Sequence, residues 1–222
     1  MSDWQQPGET RGRLITLEGG EGVGKSTNMD FLVDYLEAAG KRVVRTREPG
    51  GTSRAEKIRE LLLDPKGDEP LDADAELMLV CAARAQHLAM KIRPALSAGE
   101  MVVSDRFIDA TYAYQGVGRG LDINLIQRLE SLVVGATRPD LTILLDMPAS
   151  AARERVLARG ATLDRFEEQA GEFFTRVRQG YLERAASEPD RIKVVDASAP
   201  LAEVQRQIST IVDQQLLHWG LA

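Results

Sequence analysis

"LITLEGGEGVGKST", residues 14–27, runs from an apolar stretch into a glycine-rich loop and ends on a lysine, a serine and a threonine. Gly19, then four residues, then Gly24, Lys25 and Ser26 form a pattern that holds phosphate when it joins a strand to a helix. Both neighbours are present: alternating apolar residues precede it, and "FLVDYLEAAG", residues 31–40, follows with helical spacing and a terminal glycine suited to a left-handed cap. Gly19, Gly20, Gly22 and Gly24 let the backbone curl so that successive N–H groups, with those of Glu21, Val23 and Thr27, face an anion at the helix N-terminus. Lys25 supplies a mobile point charge and Ser26 a hydroxyl that can ligate magnesium. A turn that merely connects strand to helix needs neither, so the expected ligand is a nucleoside triphosphate, ATP being the natural donor.

Outward from the loop, strand-like runs recur at Leu14 to Glu18, Val43 to Thr46, Met101 to Asp105, Leu141 to Asp146 and Ile192 to Asp196. Helical patterns fit residues 25–40, 53–63, 72–98, 122–134, 149–158, 167–187 and 200–217, with Pro94 expected to bend or divide the long one. "DPKGDEP", residues 64–70, reads as a surface loop. Strands alternating with helices predict an α/β fold in three layers, a parallel sheet covered by helices on both faces. Ligands in such folds sit at the carboxyl ends of the strands. Four of the five runs end there in Glu18 or an aspartate, so carboxylates gather where a ligand is expected.

The chain of 222 residues is 43% hydrophobic and 28% charged, long enough for one core and without an apolar run of membrane-spanning length. Residues 1–12 are polar and read as a disordered tail before a single domain over 13–218. The one cysteine, Cys81, excludes an intramolecular disulfide and reads as a small hydrophobe in an apolar helix. A net charge of −6 argues against nucleic acid as a partner, and the expected location is cytoplasmic.

Phosphate loops serve switches, motors and transferases alike, so other residues must decide. A base-reading Asn-Lys-x-Asp segment is absent, and "DPKG" follows a helix, which disfavours a GTPase switch. Arginines are abundant instead: Arg47, Arg59, Arg84, Arg106, Arg119, Arg153, Arg155, Arg159 and Arg165, many of them in or beside loops. A nucleoside monophosphate acceptor would need them, because its phosphate is already close to a dianion at neutral pH, with a second pKa of about 6. No strong general base is required; two polyanions must be aligned against their repulsion. His87 and His218 sit in helical patterns and read as packing or solvated side chains.

"GGEGVGKST", "TREPGGT", "SDRF", "YQGVGRG" and "LDRFE" come in an order that closely resembles bacterial thymidylate kinase, over about residues 13–217. The resemblance implies a P-loop NTPase fold with a five-stranded parallel sheet, a homodimer, and transfer of the ATP γ-phosphate to dTMP in dTTP synthesis, with Mg2+. Another nucleoside monophosphate or deoxynucleoside kinase is the nearest alternative, and a nucleotide-dependent switch or binding module is the alternative of a different class. On the resemblance, Glu21 contacts the deoxyribose; Glu48 and Pro49 of "TREPGGT" line the monophosphate side; Arg59 and Arg106 bind the acceptor phosphate; Thr111, Tyr114, Gln115 and Arg84 read the base. Asp105, ending a strand, can hold magnesium with Ser26. Arg47 stands in the same loop and has a surface salt bridge as its alternative.

Many relatives carry an aromatic ring three or four residues before the arginine matching Arg84, whereas this chain has Val80 and Cys81. Either another ring such as Phe107 replaces it, or the base rests on aliphatic side chains. "RERVLARGATLDRFE", residues 153–167, resembles the family's lid, and with no arginine in the P-loop the catalytic arginine is expected there. Arg159 matches best, with Arg165 next. The turn at residues 194–200 is either near the adenine ring or an ordinary strand-to-helix connection.

Overall fold

The computed structural model describes residues 11–64, 69–158 and 171–222. All five expected strands form: β1 (Leu14–Glu18), β2 (Val43–Arg47), β3 (Met101–Asp105), β4 (Leu141–Asp146) and β5 (Ile192–Asp196). They make one parallel sheet in the order β2-β3-β1-β4-β5. Parallel strands need crossovers, which α1 (Lys25–Ala38), α2 (Ser53–Leu63), α3 (Ala73–His87), α4 (Arg93–Ser97), α5 (Ile108–Thr111), α6 (Ile123–Val133), α7 (Ala149–Ala158) and α8 (Gly171–Ser187) supply, before α9 (Leu201–His218) closes the chain.

The central strand shows why helices cover both faces. Ile15 and Leu17 point into a core shared with Leu32 and Leu36 of α1 and Ile208 and Val212 of α9. Leu14 points the other way, toward Leu88, Ile92, Phe107, Tyr112 and Ile126. Period-two alternation thus feeds two apolar layers, each fully buried leucine or isoleucine contributing about 1.5–3 kcal/mol. Thr16 shares the face of Leu14, and its hydroxyl is satisfied by Thr142 of the neighbouring β4 at 2.7 Å. Glu18 also lies on that face, is fully buried, and ends the strand at the carboxyl edge of the sheet.

Two departures from the sequence reading have physical causes, while the long helix is divided beside Pro94 as expected: a π-helical turn, Leu88–Ile92, separates α3 from α4, whose first turn holds Pro94. A proline lacks its N–H and crowds the carbonyl four residues back, and the wider turn absorbs both effects. Residues 108–118, outside the helical patterns read from the sequence, are helical: α5 runs into a second π-helical stretch, Tyr112–Gly118. Its glycines disfavour helix locally, but Gly118 and Gly180 are the points of closest approach to α8, where an added Cβ would stand 2.9 Å from Phe173 and from Ala113 respectively. The polar start also differs, since Gly12 donates its N–H to Leu96 at 2.9 Å and Arg11 pairs with Asp140 at 2.8 Å. The remainder of the expected tail (1–10), most of the loop expected at 64–70 (65–68) and residues 159–170 lie outside the described residues. Among the described residues no helix is long and apolar enough to cross a membrane.

Candidate active site

Side chains cap the N-termini of α2, α3 and α6, through Thr52, Asp72 and Asp122. At α1 the N-cap is Gly24, in a left-handed conformation and with no side chain to satisfy the first turn. Those free N–H groups open onto a cavity of about 320 Å³ lined by Glu21, Gly22, Gly24, Lys25, Ser26 and Thr27 on one side. The loop can take this path only with glycine at residue 19, where φ is +137° and a Cβ would stand 2.5 Å from the Leu145 carbonyl. Lys25 Nζ rests on the carbonyls of Gly19 and Gly20, at 3.1 and 2.8 Å. Burial and then the nearby Arg106 charge lower its pKa, against Glu21. Gly20 and Val23 face a second, smaller cavity under Phe174 and Tyr181.

Across the cavity stand Glu48, Pro49, Arg59, Arg84, Asp105, Arg106, Thr111, Tyr114 and Gln115, so nearly every acceptor-side residue picked from the sequence lines one space with the phosphate loop. Arg106 has φ +67°, an uncommon conformation for a residue with a side chain. It persists because both ends are pinned: its N–H donates to Leu17 at 3.0 Å, and Ser104 donates to its carbonyl at 2.8 Å. Its guanidinium pairs with Glu21, donates to the Gly19 carbonyl and to the Tyr181 hydroxyl at 3.0 Å each, and lies 4.7 Å from the Tyr114 ring centre. Burial would raise the Glu21 pKa, but Arg106 and then Lys25 outweigh it and hold the carboxyl at about 2.

Behind Arg106 is a residue the sequence reading missed. Tyr181 of α8 donates to Glu18 Oε2 at 2.8 Å, while Glu18 Oε1 accepts the Phe107 N–H at 2.7 Å. Burial, with Asp109 adding, pushes the Glu18 carboxyl up to about 8, against Arg106. Phe173, Val177 and Tyr181 recur every four residues, so Tyr181 reads as one more core position. The only sequence signal was a glutamate in an otherwise apolar strand, which needs a buried partner.

The wall facing the phosphate loop is pre-assembled. Arg59 Nη1 donates to the Pro49 carbonyl at 2.9 Å. Arg84, 2% exposed, is held by Glu48, Thr111 and the Phe107 carbonyl. Gln115 gives its amide hydrogen to Glu76 at 2.9 Å, which leaves its oxygen as an acceptor. Arg47 pairs with Glu56 at 2.9 Å and also lines the cavity. Phe107 has no exposed ring face and packs under the Arg84 guanidinium, so it does not replace the missing aromatic platform. Leu62, Leu63 and Val80 form an aliphatic wall instead.

Magnesium fits the residues present. Asp105 Oδ1 is buried without a hydrogen-bond partner among the described residues, and the exposed Ser26 shares its cavity. No group of three or more His, Cys, Asp or Glu stands ready as a cage among the described residues, in keeping with an ion that takes one or two protein ligands and leaves the rest to phosphate and water. A further cavity of about 410 Å³ runs from Gly24, Thr27 and Asn28 to residues 197–201 and Arg155, which places the turn after β5 beside the phosphate loop. Cys81 is buried, as expected. Arg159 and Arg165, the arginines expected in a lid, lie outside the described residues.

A family model for thymidylate kinase matches residues 17–208. A thymidylate kinase of Chromohalobacter salexigens is 60% identical over 211 residues, 95% of this chain and 100% of that protein. One from Alcanivorax borkumensis is 57% identical over 203 residues, covering 91% and 97% of the two chains. Among solved structures, thymidylate kinase from Ehrlichia chaffeensis superposes with a TM-score of 0.73 at 34% identity, covering 91% of this chain and 99% of the other.

Proposed function

This chain belongs to the thymidylate kinase family, and we propose from that premise that it transfers the γ-phosphate of ATP to dTMP, giving dTDP and ADP. The observation that carries the reading is the single cavity in which a phosphate loop and an arginine-rich acceptor wall face each other.

The dTMP phosphate needs no deprotonation, since its second pKa of about 6 leaves it nucleophilic at neutral pH. What the protein must supply is alignment and charge compensation. In this reading the α1 N–H groups and Lys25 hold the donor phosphates, while Arg59 and Arg106 hold the acceptor phosphate. Glu21 stands beside Arg106 and orients the sugar. Arg84, Thr111, Tyr114 and Gln115 read the base against the aliphatic wall. Lys25 and Arg106 are both held on loop carbonyls, a position from which each can exchange a carbonyl for a phosphate oxygen. Ser26 and Asp105 would hold Mg2+, which supplies compensation for the charge of the transferring phosphoryl group. Arg159 and Arg165 are proposed as lid arginines on the resemblance of residues 153–167 to the family's lid; a homodimer and a cytoplasmic location belong to the same reading. The adenine ring is assigned to the cavity between Thr27 and the turn at 197–201.

A transfer experiment tests this directly: γ-labelled ATP, Mg2+ and dTMP should yield label in dTDP and none in inorganic phosphate. Label released to water at the same rate with or without dTMP would instead mark an ATPase.

A further inference from the structure

His87 has no part in the chemistry above, yet its imidazole is fully buried and one of its polar partners, Glu48, lines the cavity. Nδ1 is 3.0 Å from Glu48 Oε1, and Nε2 is 2.6 Å from Thr46 Oγ1. A carboxylate only accepts, so Nδ1 carries hydrogen; a threonine hydroxyl can donate, so a bare Nε2 is satisfied too. The second oxygen of Glu48 accepts from Arg84 Nε at 2.7 Å. Arg84 then spends one hydrogen of Nη1 on Thr111 at 2.9 Å and one of Nη2 on the Phe107 carbonyl at 3.0 Å. A guanidinium has five N–H donors, so one hydrogen remains on each terminal nitrogen, at the cavity wall.

The turn that bears Glu48 is moulded on the same ring. At Gly51, φ is +83° and a Cβ would stand 2.5 Å from His87 Nε2 and 2.6 Å from Thr46 Oγ1. Pro49 in that turn holds Arg59 through its carbonyl. One imidazole therefore sets both the carboxylate that orients Arg84 and the backbone that positions Arg59.

We propose that His87 is a positioning residue for acceptor selection: acting through Glu48, it aims the two remaining Arg84 hydrogens at a hydrogen-bond acceptor on the edge of a pyrimidine monophosphate. The inference rests on the reading of this cavity as the dTMP site. Thymine offers a carbonyl oxygen at that edge, whereas cytosine offers an amino donor, so an aimed arginine favours the first and rejects the second. A carboxylate that has lost the imidazole is free to turn, and Arg84 turns with it.

The test is steady-state kinetics of His87→Leu, His87→Asn and Thr46→Val against wild type, each confirmed folded by circular dichroism, with dTMP, dCMP and ATP varied in turn. His87→Leu should raise KM for dTMP about 10-fold or more and narrow the dTMP-to-dCMP preference to a similar degree, with KM for ATP unchanged within about 2-fold. His87→Asn keeps an N–H donor near Glu48 and should recover most of both. Thr46→Val, the milder probe if His87→Leu does not fold, should raise KM for dTMP alone by about 3-fold. The proposal is overturned if folded His87→Leu (or, failing that, Thr46→Val) leaves KM for dTMP and the preference unchanged, if KM for ATP rises in step, or if His87→Asn is as impaired as His87→Leu. Failure of the wild type to use dTMP at all is seen in its own arm and counts against the function rather than against His87.

Discussion

Tyr181 gives its hydroxyl hydrogen to Glu18 across 2.8 Å, tying α8 to the strand that launches the phosphate loop. The same hydroxyl accepts from Arg106 Nη1 at 3.0 Å, so a carboxyl at the sheet edge, a tyrosine and the acceptor-side arginine form one chain.

This chain makes stability depend on pH in a definite direction. Glu18 has its pKa raised to about 8 from 4.5, so the folded protein binds a proton that the unfolded chain releases near 4.5. Its contribution is fully present below 4.5 and is lost as pH rises through about 8. Urea denaturation should therefore show wild type losing stability from pH 4.5 to about 8, and Glu18→Gln should flatten that slope. Equal slopes for the two proteins would contradict the assignment.

Removing the hydroxyl alone separates architecture from electrostatics. Tyr181→Phe keeps the ring among Phe173, Val177 and Tyr114 but leaves Glu18 with one partner fewer. A loss of about 1–3 kcal/mol is expected from the unmet buried group. Because Arg106 also loses a contact, kcat/KM for dTMP should fall about 10-fold or more. Unchanged stability and turnover together would show that the hydroxyl is idle.

The five strands and most helices were legible because apolar period is set by which faces are buried, and β1 buries both. The Ile108–Gly118 segment was not legible, since its helical form depends on Gly118 and Gly180 letting α8 approach, through contacts such as Gly118 with Phe173 and Gly180 with Ala113 that are distant in the chain. Within the site, glycine spacing revealed the phosphate loop and motif order revealed Arg59, Arg84 and Arg106. The connecting groups stayed hidden: Tyr181 follows an apolar stripe, and His87 lies three residues after Arg84 on a helix whose partner, Glu48, is distant in sequence. Phe107 was a reasonable substitute platform by type, and only its complete burial removes it.

Lys25→Ala should reduce phosphoryl transfer by about 10³-fold or more while leaving the fold intact, because among the described residues Nζ hydrogen-bonds only to the loop carbonyls of Gly19 and Gly20. Transfer assays with a thermal melt check both halves. Near-normal turnover would contradict the assignment of the loop.

Asp105 and magnesium should act together. Asp105→Asn should raise the Mg2+ concentration needed for half-maximal rate by about 10-fold, and chelation should abolish turnover of wild type. A variant with the wild-type Mg2+ requirement would show that the unpartnered Oδ1 serves some other purpose.

Arg159 belongs to the proposed lid, and its substitution separates chemistry from binding. Arg159→Ala should lower kcat by about 10²-fold or more with little change in KM for dTMP. A change confined to KM would move the catalytic role to another arginine, Arg165 first.

The most direct test of the central claim is kcat/KM for dTMP, dUMP, dCMP and dGMP with saturating ATP and Mg2+. A maximum at dTMP, with dTDP as product, is the predicted result. No dTDP at all, or a higher value for any other monophosphate in that panel, would contradict the account.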